Sequence, residues 1–365
     1  MYSTRVHNGE ARRPTRDDVA RVANISGATV SRVLSGRNDV AVLPETRARV
    51  LEAARSLGYL PNTAARALTN GKTGIIGLWT SLAYSRYRAQ VLDQMRSLLQ
   101  GVEVTAAVTD IDEEFHFAHS FERALRVPVD GILAFDTSAS VEAFARDVDV
   151  LAPNIPFVSM GAYWSEKKSY VGVDLRKGTE LAMQHLLSLG RRSIAYLAPA
   201  SSDLVDSGPR FTGYIEAMES AGLSPETIRA ESFSYHAIQR ELSARHAAKS
   251  LPDALLCLND EAAIAASQIL QTLGLVIGQD IAIVGFDGIE ETEHASVPIT
   301  TVRQPYEAMC ALAWQFLQTQ MSEPNAALSQ HTLIPELVIR ESTDPQAHSH
   351  TPSTERTHEE SLYPH

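Results

Sequence analysis

From Gly74 onward, short runs of aliphatic and β-branched residues alternate with segments whose apolar residues recur at helical spacing. Because each parallel strand needs a crossover, this alternation is typical of a parallel sheet that helices cover on both faces. The pattern predicts an α/β core of two doubly wound parallel-sheet lobes. The predicted strands are 75–79, 102–108, 131–135, 157–160, 193–197, 254–258 and 281–286, and the predicted helices lie near 87–99, 177–189, 210–221, 261–273 and 306–318.

Charge divides the chain at about residue 72. Residues 1–72 carry a net charge of +6, whereas the remainder carries −18, which gives −12 for the whole chain. A small basic module can attract nucleic acid through phosphate contacts and counterion release. A modest basic excess is also common on solvated helix faces, so the residue pattern inside the module has to decide between the two.

Three short helices are predicted in the basic module. Thr15 and Asp18 fit a capping box at the start of the first helix. After a tight turn, Ser26 is a suitable N-cap for the second helix. The third helix begins at Pro44 and ends at Gly58. Helices of this length joined by a tight turn predict an all-α helix-turn-helix headpiece.

Several motifs of the module occur in a characteristic order. They are Asp18-Val19-Ala20, Ser26, Thr29-Val30-Ser31-Arg32-Val33-Leu34, Thr46-Arg47, Val50 and Gly58-Tyr59-Leu60-Pro61-Asn62. In this order they resemble the headpiece of the LacI/GalR family of bacterial repressors. The module departs from the family pattern in two places, since Asn24 stands where a Gly is usual and Leu43 where a Ser cap is usual. Asn is the best substitute for Gly in a left-handed conformation, so the turn is expected to keep its geometry.

The resemblance runs from about Thr15 to Thr343. It implies a periplasmic-binding-protein-like core that holds a small molecule between its lobes, with the chain crossing near Asp174, Arg303 and Leu333. The further matching residues are Val129-Asp130-Gly131-Ile132, Ile155-Pro156, Val173-Asp174, Gly178, His185-Leu186, Gly190-Arg191-Arg192, Arg210, Gly213-Tyr214, Asn259-Asp260, Asp280-Ile281, Val284-Gly285-Phe286-Asp287, Thr300-Thr301-Val302 and Arg340-Glu341-Ser342-Thr343.

The resemblance and the element pattern together give a domain plan. The polar ends of the chain are expected to be disordered. The predicted parts are an N-terminal extension (1–14), a DNA-binding headpiece (15–61), a hinge helix with its linker (62–73), an effector-binding core (74–343) and a C-terminal tail (344–365). Within the core, lobe one comprises about 74–173 and 304–332, and lobe two comprises about 174–303 and 333–343.

The resemblance implies which headpiece residues bind DNA. Gly27 and Ala28 occupy base-reading positions at the start of the recognition helix, although neither side chain can form a bidentate base contact. Arg32 is the candidate for guanine recognition, with a phosphate contact or a solvated charge as the alternative. The hydroxyls expected to position the helix on phosphates are those of Thr15, Thr29 and Ser31.

Residues 62–69 have helix-forming composition but span only about two turns, so a helix here should order only on DNA or on a partner. The resemblance implies a hinge helix that pairs with its symmetry mate in the minor groove. Asn62 and Ala65 would then contact DNA, and Leu68 would be inserted into the central base step. The alternative for Leu68 is an ordinary linker anchor.

The resemblance also implies the polar contacts of the effector. Arg210, Asn259 and Asp287 come from lobe two, and Tyr87 and Arg88 lie near the opening of lobe one. A carboxylate, an amide and a guanidinium suit a ring of hydroxyls, so a sugar is favoured. Arg88 and Arg210 could instead hold an anionic group.

One further departure lies in lobe one. Where many relatives place an Asp after the fourth strand, this chain has Gly161-Ala162-Tyr163-Trp164. Tyr163 or Trp164 could stack on a sugar face, or either could be a surface-loop aromatic.

Motifs of catalysis and metal binding fail at the positions they require. Gly71-Lys72-Thr73 is similar to the end of a phosphate-binding loop, but the first glycine of such a loop would have to stand at Arg66. Neither a G-x-S-x-G nor a Cys-x-x-Cys motif occurs. We therefore expect no cofactor, no metal site and no enzymatic activity. A carboxylate pair of Asp174 and Asp287 is the remaining catalytic alternative.

Two sequence features bear on the cellular compartment of the protein. The two cysteines, Cys257 and Cys310, lie far apart in apolar stretches, which indicates buried thiols in a reducing compartment. The N-terminus lacks the apolar segment of a signal peptide, and no apolar run of about 18 residues follows. The sequence thus predicts a cytoplasmic protein without membrane association.

These observations lead to one function hypothesis and one alternative. The hypothesis is a sequence-specific transcription regulator, in the first place a repressor, that a small molecule controls from between the core lobes. Its homodimer would bind a pseudo-palindromic operator, and the tail lacks the apolar heptads of a tetramer. The alternative is a cytoplasmic sugar-binding receptor without a DNA-binding role.

Overall fold

The computed structural model of the protein shows two compact units, Met1–Thr73 and Gly74–His365. The hinge-helix residues Asn62, Ala65 and Leu68 lie outside the residues that the structure describes, as do most of the N-terminal extension and almost all of the tail. The described residues are 14–34, 42–59, 72–80, 85–100, 105–110 (backbone only), 128–136, 155–164, 166–199, 208–232, 234–323 and 325–344.

In the described residues of the first unit, three helices share one small core. These are α1 (Arg16–Ala23), α2 (Gly27–Leu34) and α3 (Pro44–Leu57). Their apolar positions recur at helical spacing, which places Val19, Val30, Val33 and Val50 together in the interior. The helix-turn-helix predicted from the sequence is therefore present.

The ends of these helices follow the sequence signals. The Thr15 side chain caps α1, and the carboxylate of Asp18 accepts the Thr15 backbone N–H at 2.9 Å, which completes the capping box. Asn24 ends α1 in the left-handed conformation, with φ of 51°. Leu43 precedes α3 without a side-chain cap, and Pro44 fills the first helical position instead.

The second unit contains two six-stranded sheets. The first sheet has the order β2-β1-β3-β4-β5-β11 and the second has the order β7-β6-β8-β9-β10-β12. The strands are β1 (Ile75–Thr80), β2 (Thr105–Asp110), β3 (Gly131–Phe135), β4 (Phe157–Gly161), β5 (Ser169–Val173), β6 (Ile194–Pro199), β7 (Glu226–Ala230), β8 (Ala254–Cys257), β9 (Ala282–Asp287), β10 (Thr300–Arg303), β11 (Gln330–Leu333) and β12 (Glu336–Val338).

Helices cover both sheets. A buried cluster extends from the strands of the two sheets to apolar residues of the helices around them. In the described residues no helix is long and apolar enough to cross a membrane. The helices are α4 (Arg86–Leu99), α5 (Leu175–Ser188), α6 (Pro209–Ser220), α7 (Tyr235–Ala247), α8 (Asp260–Thr272) and α9 (Tyr306–Ser322), and a short 3₁₀ helix follows β9 at Glu290–Thr292.

The expectation of wholly parallel lobes needs one correction, because β12 runs antiparallel to β10. The direction follows from the path of the chain between the sheets. Strand β10 ends where the chain leaves for α9 and β11, and β12 begins where the chain returns. The two strands must therefore run in opposite directions. The other strand pairs in the described part of the chain are parallel.

Asp174 lies at the first crossing from one sheet to the other. Its backbone N–H donates to the carbonyl of Leu333 at 2.9 Å, and its carboxylate accepts the N–H of Lys177 at 2.8 Å as the cap of α5. This side chain therefore stabilises the start of a helix at the crossing between the sheets. The other two crossings follow β10 and β11.

Candidate DNA-binding and effector sites

Helix α2 presents one exposed face. Ala28, Ser31 and Arg32 are exposed, and their spacing places them together on the side opposite Val30 and Val33, which are buried. This face offers a methyl group, a hydroxyl and a guanidinium. A surface of this kind can make an apolar contact to a thymine methyl and polar contacts to base edges or phosphates.

The threonine hydroxyls expected to contact phosphates already take part in helix caps. Thr15 Oγ1 donates to the Asp18 carboxylate at 2.7 Å, and the hydroxyls of Thr29 and Ser26 lie 2.9 Å apart. The N-termini of α1 and α2 nevertheless present backbone N–H groups, and such groups favour anions. Arg16 is a basic residue beside α2 that the sequence pattern did not single out. Its Nε lies 3.4 Å from where a Cβ on Gly27 would stand.

In the core, Arg210 and Asp287 form a partly buried ion pair. Arg210 comes from the first turn of α6, and Asp287 is the last residue of β9. A guanidinium nitrogen lies 3.1 Å from Asp287 Oδ1, which also accepts a hydrogen bond from Gln304 at 2.8 Å. The guanidinium also donates to the carbonyl of Leu258 and lies 4.4 Å from the centre of the Phe286 ring. These contacts fix the Arg210 side chain in one orientation.

Asp287 is strained and difficult to ionise. Its φ of 117° is rare for a residue with a side chain. Burial raises its pKa to about 7, although the positive charge of Arg210 opposes the shift. Burial, followed by the charge of Asp287, also raises the pKa of Asp260 well above its ordinary value.

Asp260 holds the loop that follows β9. Its Oδ2 accepts the N–H groups of Gly288 at 2.7 Å and Ile289 at 2.9 Å, and its Oδ1 accepts the hydroxyl of Thr301 at 2.6 Å. Asp260 is fully buried and therefore orients the end of β9. We assign it a positioning role behind Asp287.

Asn259 lies next to this acid at the N-cap of α8. Its Oδ1 accepts the N–H of Ala262 at 3.0 Å. The cap occupies the side-chain oxygen, so the amide nitrogen is the group that can donate to a ligand. The structure thus places Asn259, Arg210 and Asp287 at the carboxyl ends of neighbouring strands, where ligands bind in open α/β sheets.

Tyr87 and Arg88 come from the first turn of α4 in the other lobe. Tyr87 is buried between Phe135 and Tyr306, and its hydroxyl has no hydrogen-bond partner within the described part of the chain. One Arg88 nitrogen donates to Thr80 at 3.1 Å, and the guanidinium lies 5.7 Å from the centre of the Phe135 ring.

Charges from both lobes act on the Tyr87 hydroxyl. Burial raises the pKa of Tyr87, and the charges of Asp136 and Asp287 add to the shift. Asp136 follows β3 in one lobe, whereas Asp287 ends β9 in the other. The Tyr87 hydroxyl is therefore within electrostatic reach of a carboxylate from each lobe.

The two candidate stacking aromatics have different surroundings. Trp164 stacks on Tyr170 with ring centres 5.2 Å apart, and its ring lies against Gly172, where a Cβ would come within 2.7 Å. Trp164 therefore packs on the first sheet. Tyr163 is close enough to Arg210 for its charge to add to the raised pKa of Arg210, after the larger effects of Asp287 and Tyr196. Of the two aromatics, Tyr163 is therefore the one within electrostatic reach of the cleft.

One set of contacts joins the lobes directly. The backbone N–H of Arg86, at the start of α4, donates to Glu261 on α8 at 2.9 Å. The Arg86 side chain forms an ion pair with Glu291 of the 3₁₀ helix. Sequence analysis did not identify these residues, because each contact joins positions more than 170 residues apart.

Both units of the chain are similar to known proteins. Residues 15–62 match the lacI family of bacterial regulatory proteins, and residues 183–343 match the periplasmic binding protein-like domain. The HTH-type transcriptional regulator MalR of Streptomyces coelicolor is 31% identical over 336 residues, which cover 89% of this chain and 95% of MalR.

Two solved structures are similar over nearly the whole chain. The lac repressor dimer bound to operator and the anti-inducer ONPF has a TM-score of 0.75 at 25% identity and covers 91% of this chain and 99% of its own. The complex of the transcriptional regulator CelR with cellobiose has a TM-score of 0.61 at 26% identity, with coverages of 90% and 100%. With a headpiece, a two-lobed core and a relative at this level of identity, the chain belongs to the LacI family of bacterial transcription regulators.

Proposed function

We propose that the protein is a transcriptional repressor whose homodimer binds a pseudo-palindromic operator. Its exposed α2 face would enter the major groove, and the hinge helices would enter the minor groove. The similar lac repressor structure is a dimer bound to operator, which supports this assembly. A family role in transcription regulation also supports a cytoplasmic protein without enzymatic activity.

The DNA-binding residues proposed for this function belong to two groups. The base-facing group lies on α2, where Gly27 and Ala28 stand at the start of the helix and Ala28 shares its exposed face with Arg32. The remaining contacts are to phosphates and to the minor groove. They are proposed for Thr15, Thr29 and Ser31 in the headpiece and for Asn62, Ala65 and Leu68 in the hinge segment.

The effector that fits the cleft best is a neutral molecule with several hydroxyls, in the first place a sugar. The observation that carries this proposal is the pairing of charges in the cleft. Arg210 is held by Asp287 at 3.1 Å, and burial raises the pKa of Asp136 while the charge of Arg88 opposes that shift. An anionic effector would have to compete with these carboxylates, whereas hydroxyls can donate to acids and accept from arginines. The cellobiose complex of CelR supports a sugar.

The proposed effector contacts are Arg210, Asn259 and Asp287 from lobe two and Tyr87 and Arg88 from lobe one. The Tyr87 hydroxyl and Arg88 Nε have no partner among the described residues, and both atoms are buried. Buried polar atoms of this kind are stabilised when a ligand provides the missing hydrogen bond.

Selection of genomic fragments by the purified full-length protein tests the repressor. We expect enrichment of a two-fold symmetric site of about two helical turns. The Leu68→Ala variant should lose operator affinity and keep sugar affinity, and Leu328→Ala, which changes an exposed leucine of the core, should keep both. A protein that binds a sugar but enriches no fragment, with or without that sugar, would instead be a sugar receptor.

A further inference from the structure

Asp136 is a carboxylate of the cleft that the family pattern does not assign. It follows β3, and its backbone N–H donates to the carbonyl of Met160 at 3.1 Å. Its φ of 44° lies in the left-handed region. Its Oδ1 accepts the N–H of Ala162 at 2.6 Å. The side chain is thus held across the end of the neighbouring strand, β4, by a conformation and a hydrogen bond that fix its direction.

Strand β4 ends at Gly161. A Cβ on Gly161 would lie 2.1 Å from Oδ1 of Asp136, so the Asp136 carboxylate occupies the space that a side chain at this position would need. Gly161 also has a φ of 109°, which disfavours any side chain. The absence of a side chain after β4 and the placement of Asp136 after β3 are therefore two parts of one arrangement.

The surroundings of Asp136 point toward a ligand. Within the described residues the Ala162 N–H is the one hydrogen bond to its carboxylate, which leaves Oδ2 as an acceptor. Burial raises its pKa, and Arg88 and then Ala162 oppose that shift. Its charge also affects Tyr87 in the same lobe and Arg210 and Asp287 in the other. Burial of a carboxylate is unfavourable unless hydrogen-bond donors surround it, and the half-buried Asp136 carboxylate has one such donor among the described residues.

We propose that Asp136 binds effector hydroxyls and is the specificity-determining carboxylate of lobe one. Together with Asp287 from lobe two, it gives the cleft an acceptor on each side. A neutral sugar with hydroxyls on opposite edges can donate to both acids at once, which would hold the lobes together. This inference rests on the proposed sugar effector.

The test compares full-length wild type with Asp136→Asn, which keeps the size of the side chain and an oxygen for the Ala162 N–H. The probes are neutral monosaccharides, disaccharides and polyols, including D-glucose, D-galactose, D-ribose, maltose and cellobiose. Binding is measured by calorimetry for each sugar that raises the wild-type Tm. We expect Asp136→Asn to weaken binding about 10- to 100-fold, as for a lost hydrogen bond to a charged group.

The matched control is Asp280→Asn. Asp280 also accepts one backbone N–H, from Val276 at 2.7 Å, but it is exposed and precedes β9, at the end of the strand away from Asp287. We expect this variant to bind sugar as wild type does.

Deoxy analogues of the bound sugar separate a direct contact from a structural effect. If Asp136 binds one hydroxyl, removal of that hydroxyl weakens binding to wild type and leaves binding to Asp136→Asn nearly unchanged, so the two losses do not add. Asp136→Glu, which moves the carboxylate by one methylene, serves in the same comparison if the Asn variant does not fold.

Three results would overturn the inference. Equal sugar affinity in wild type and Asp136→Asn contradicts a contact at Asp136 and leaves the proposed function intact. Losses that add for every deoxy analogue show that Asp136 has a structural role alone. A panel in which no sugar binds wild type contradicts the proposed sugar effector, and the role of Asp136 with it.

Discussion

At the scale of single residues, the end of β9 combines backbone strain with the burial of two acidic side chains. Asp287 has a φ of 117° and is only 4% exposed, and a second buried acid, Asp260, lies behind it. Arg210 and Gln304 hold the Asp287 carboxylate in place. Strained residues persist where their neighbours fix them, and they cluster at ligand sites. The strain thus agrees with a role for Asp287 in the effector site.

The raised pKa of Asp287 predicts a pH dependence of stability. Burial raises the pKa of Asp287 from the ordinary value of 3.8 to about 7, so the folded protein binds this proton more tightly than the unfolded chain does. Protonation of Asp287 therefore stabilises the folded protein fully below about pH 4, and this stabilisation is lost as pH rises through about 7. We expect the Tm of wild type, relative to Asp287→Asn, to fall between pH 5 and pH 8. A difference between wild type and Asp287→Asn that stays constant across this range would refute the prediction.

The Gly161→Ala substitution should create a steric conflict that lowers stability. The new Cβ would meet the Asp136 carboxylate at 2.1 Å in a backbone conformation that disfavours alanine. We expect a loss of about 2–3 kcal/mol in stability, observed as a lower Tm. Gly222→Ala is the control, since its φ of 68° is also positive but no atom lies within 4 Å of the new Cβ, so about 1 kcal/mol is expected.

The same conflict should depend on Asp136. In an Asp136→Ala background, Gly161→Ala should cost less than in wild type, because the carboxylate is gone and the Phe135 ring, 3.1 Å from the new Cβ, is the nearest remaining neighbour. If the cost of Gly161→Ala is the same in both backgrounds, the destabilisation comes from the backbone alone.

Sequence motifs carry the proposed effector contacts of lobe two. The predicted contacts of lobe two, Arg210 and Asp287, lie in one ion pair although 77 positions separate them. Asp136 escaped prediction because its place depends on a left-handed residue after β3 and on a missing side chain after β4. No local pattern encodes the meeting of two neighbouring strand ends.

At the scale of elements, capping residues determine where the headpiece helices begin. The box between Thr15 and Asp18 supplies hydrogen bonds to the first turn of α1, whereas α3 begins at Pro44 without a side-chain cap. With α1 only eight residues long, such a helix depends on its cap and on its packing more than on intrinsic propensity. The start of α1 is therefore a sensitive point of the headpiece.

Thr15→Ala should destabilise α1 by about 1 kcal/mol, since it removes the cap of its first turn. Hydrogen exchange in the full-length protein measures this as faster exchange of the amides of α1. Ser56→Ala is the matched control, because that hydroxyl donates to a carbonyl at the C-terminal end of α3. Unchanged exchange in Thr15→Ala would mean that core packing alone holds α1.

The strength of the apolar signal decided which elements could be predicted. Strand β3 was predicted with its observed bounds, and all five of its residues are buried. Five of the described strands were not predicted from the sequence, and they are short or carry polar residues. These strands are β5, β7, β10, β11 and β12. Strand β11, for example, is mostly exposed at the edge of its sheet. The helix α7 was missed as well, and the strand predicted at 102–108 is observed at Thr105–Asp110.

At the scale of the whole molecule, two features bear on function, namely the contacts between the core lobes and the division of charge along the chain. Arg86 joins the lobes through Glu261 and Glu291, at the N-terminal end of the helix that carries Tyr87 and Arg88. An effector that draws these elements together would therefore act on contacts between the lobes. The other feature is charge, because the chain carries +6 over residues 1–72 and −18 over the rest.

This charge division predicts a steep dependence of operator binding on salt. The acidic remainder repels DNA, so attraction must come from the basic module, and each neutralised phosphate releases counterions. With about 6 to 10 phosphates contacted per dimer, operator affinity should fall by about 10³ to 10⁵ between 50 and 200 mM salt, measured by fluorescence anisotropy.

Arg32→Ala should make the dependence of operator affinity on salt shallower if Arg32 contacts a phosphate. It should instead relax base preference at one position of each half-site if it contacts guanine. Arg240→Ala removes an equal charge from an exposed ion pair of the core and should change neither property. A nearly flat salt response in wild type would mean that the basic module does not bind the phosphate backbone.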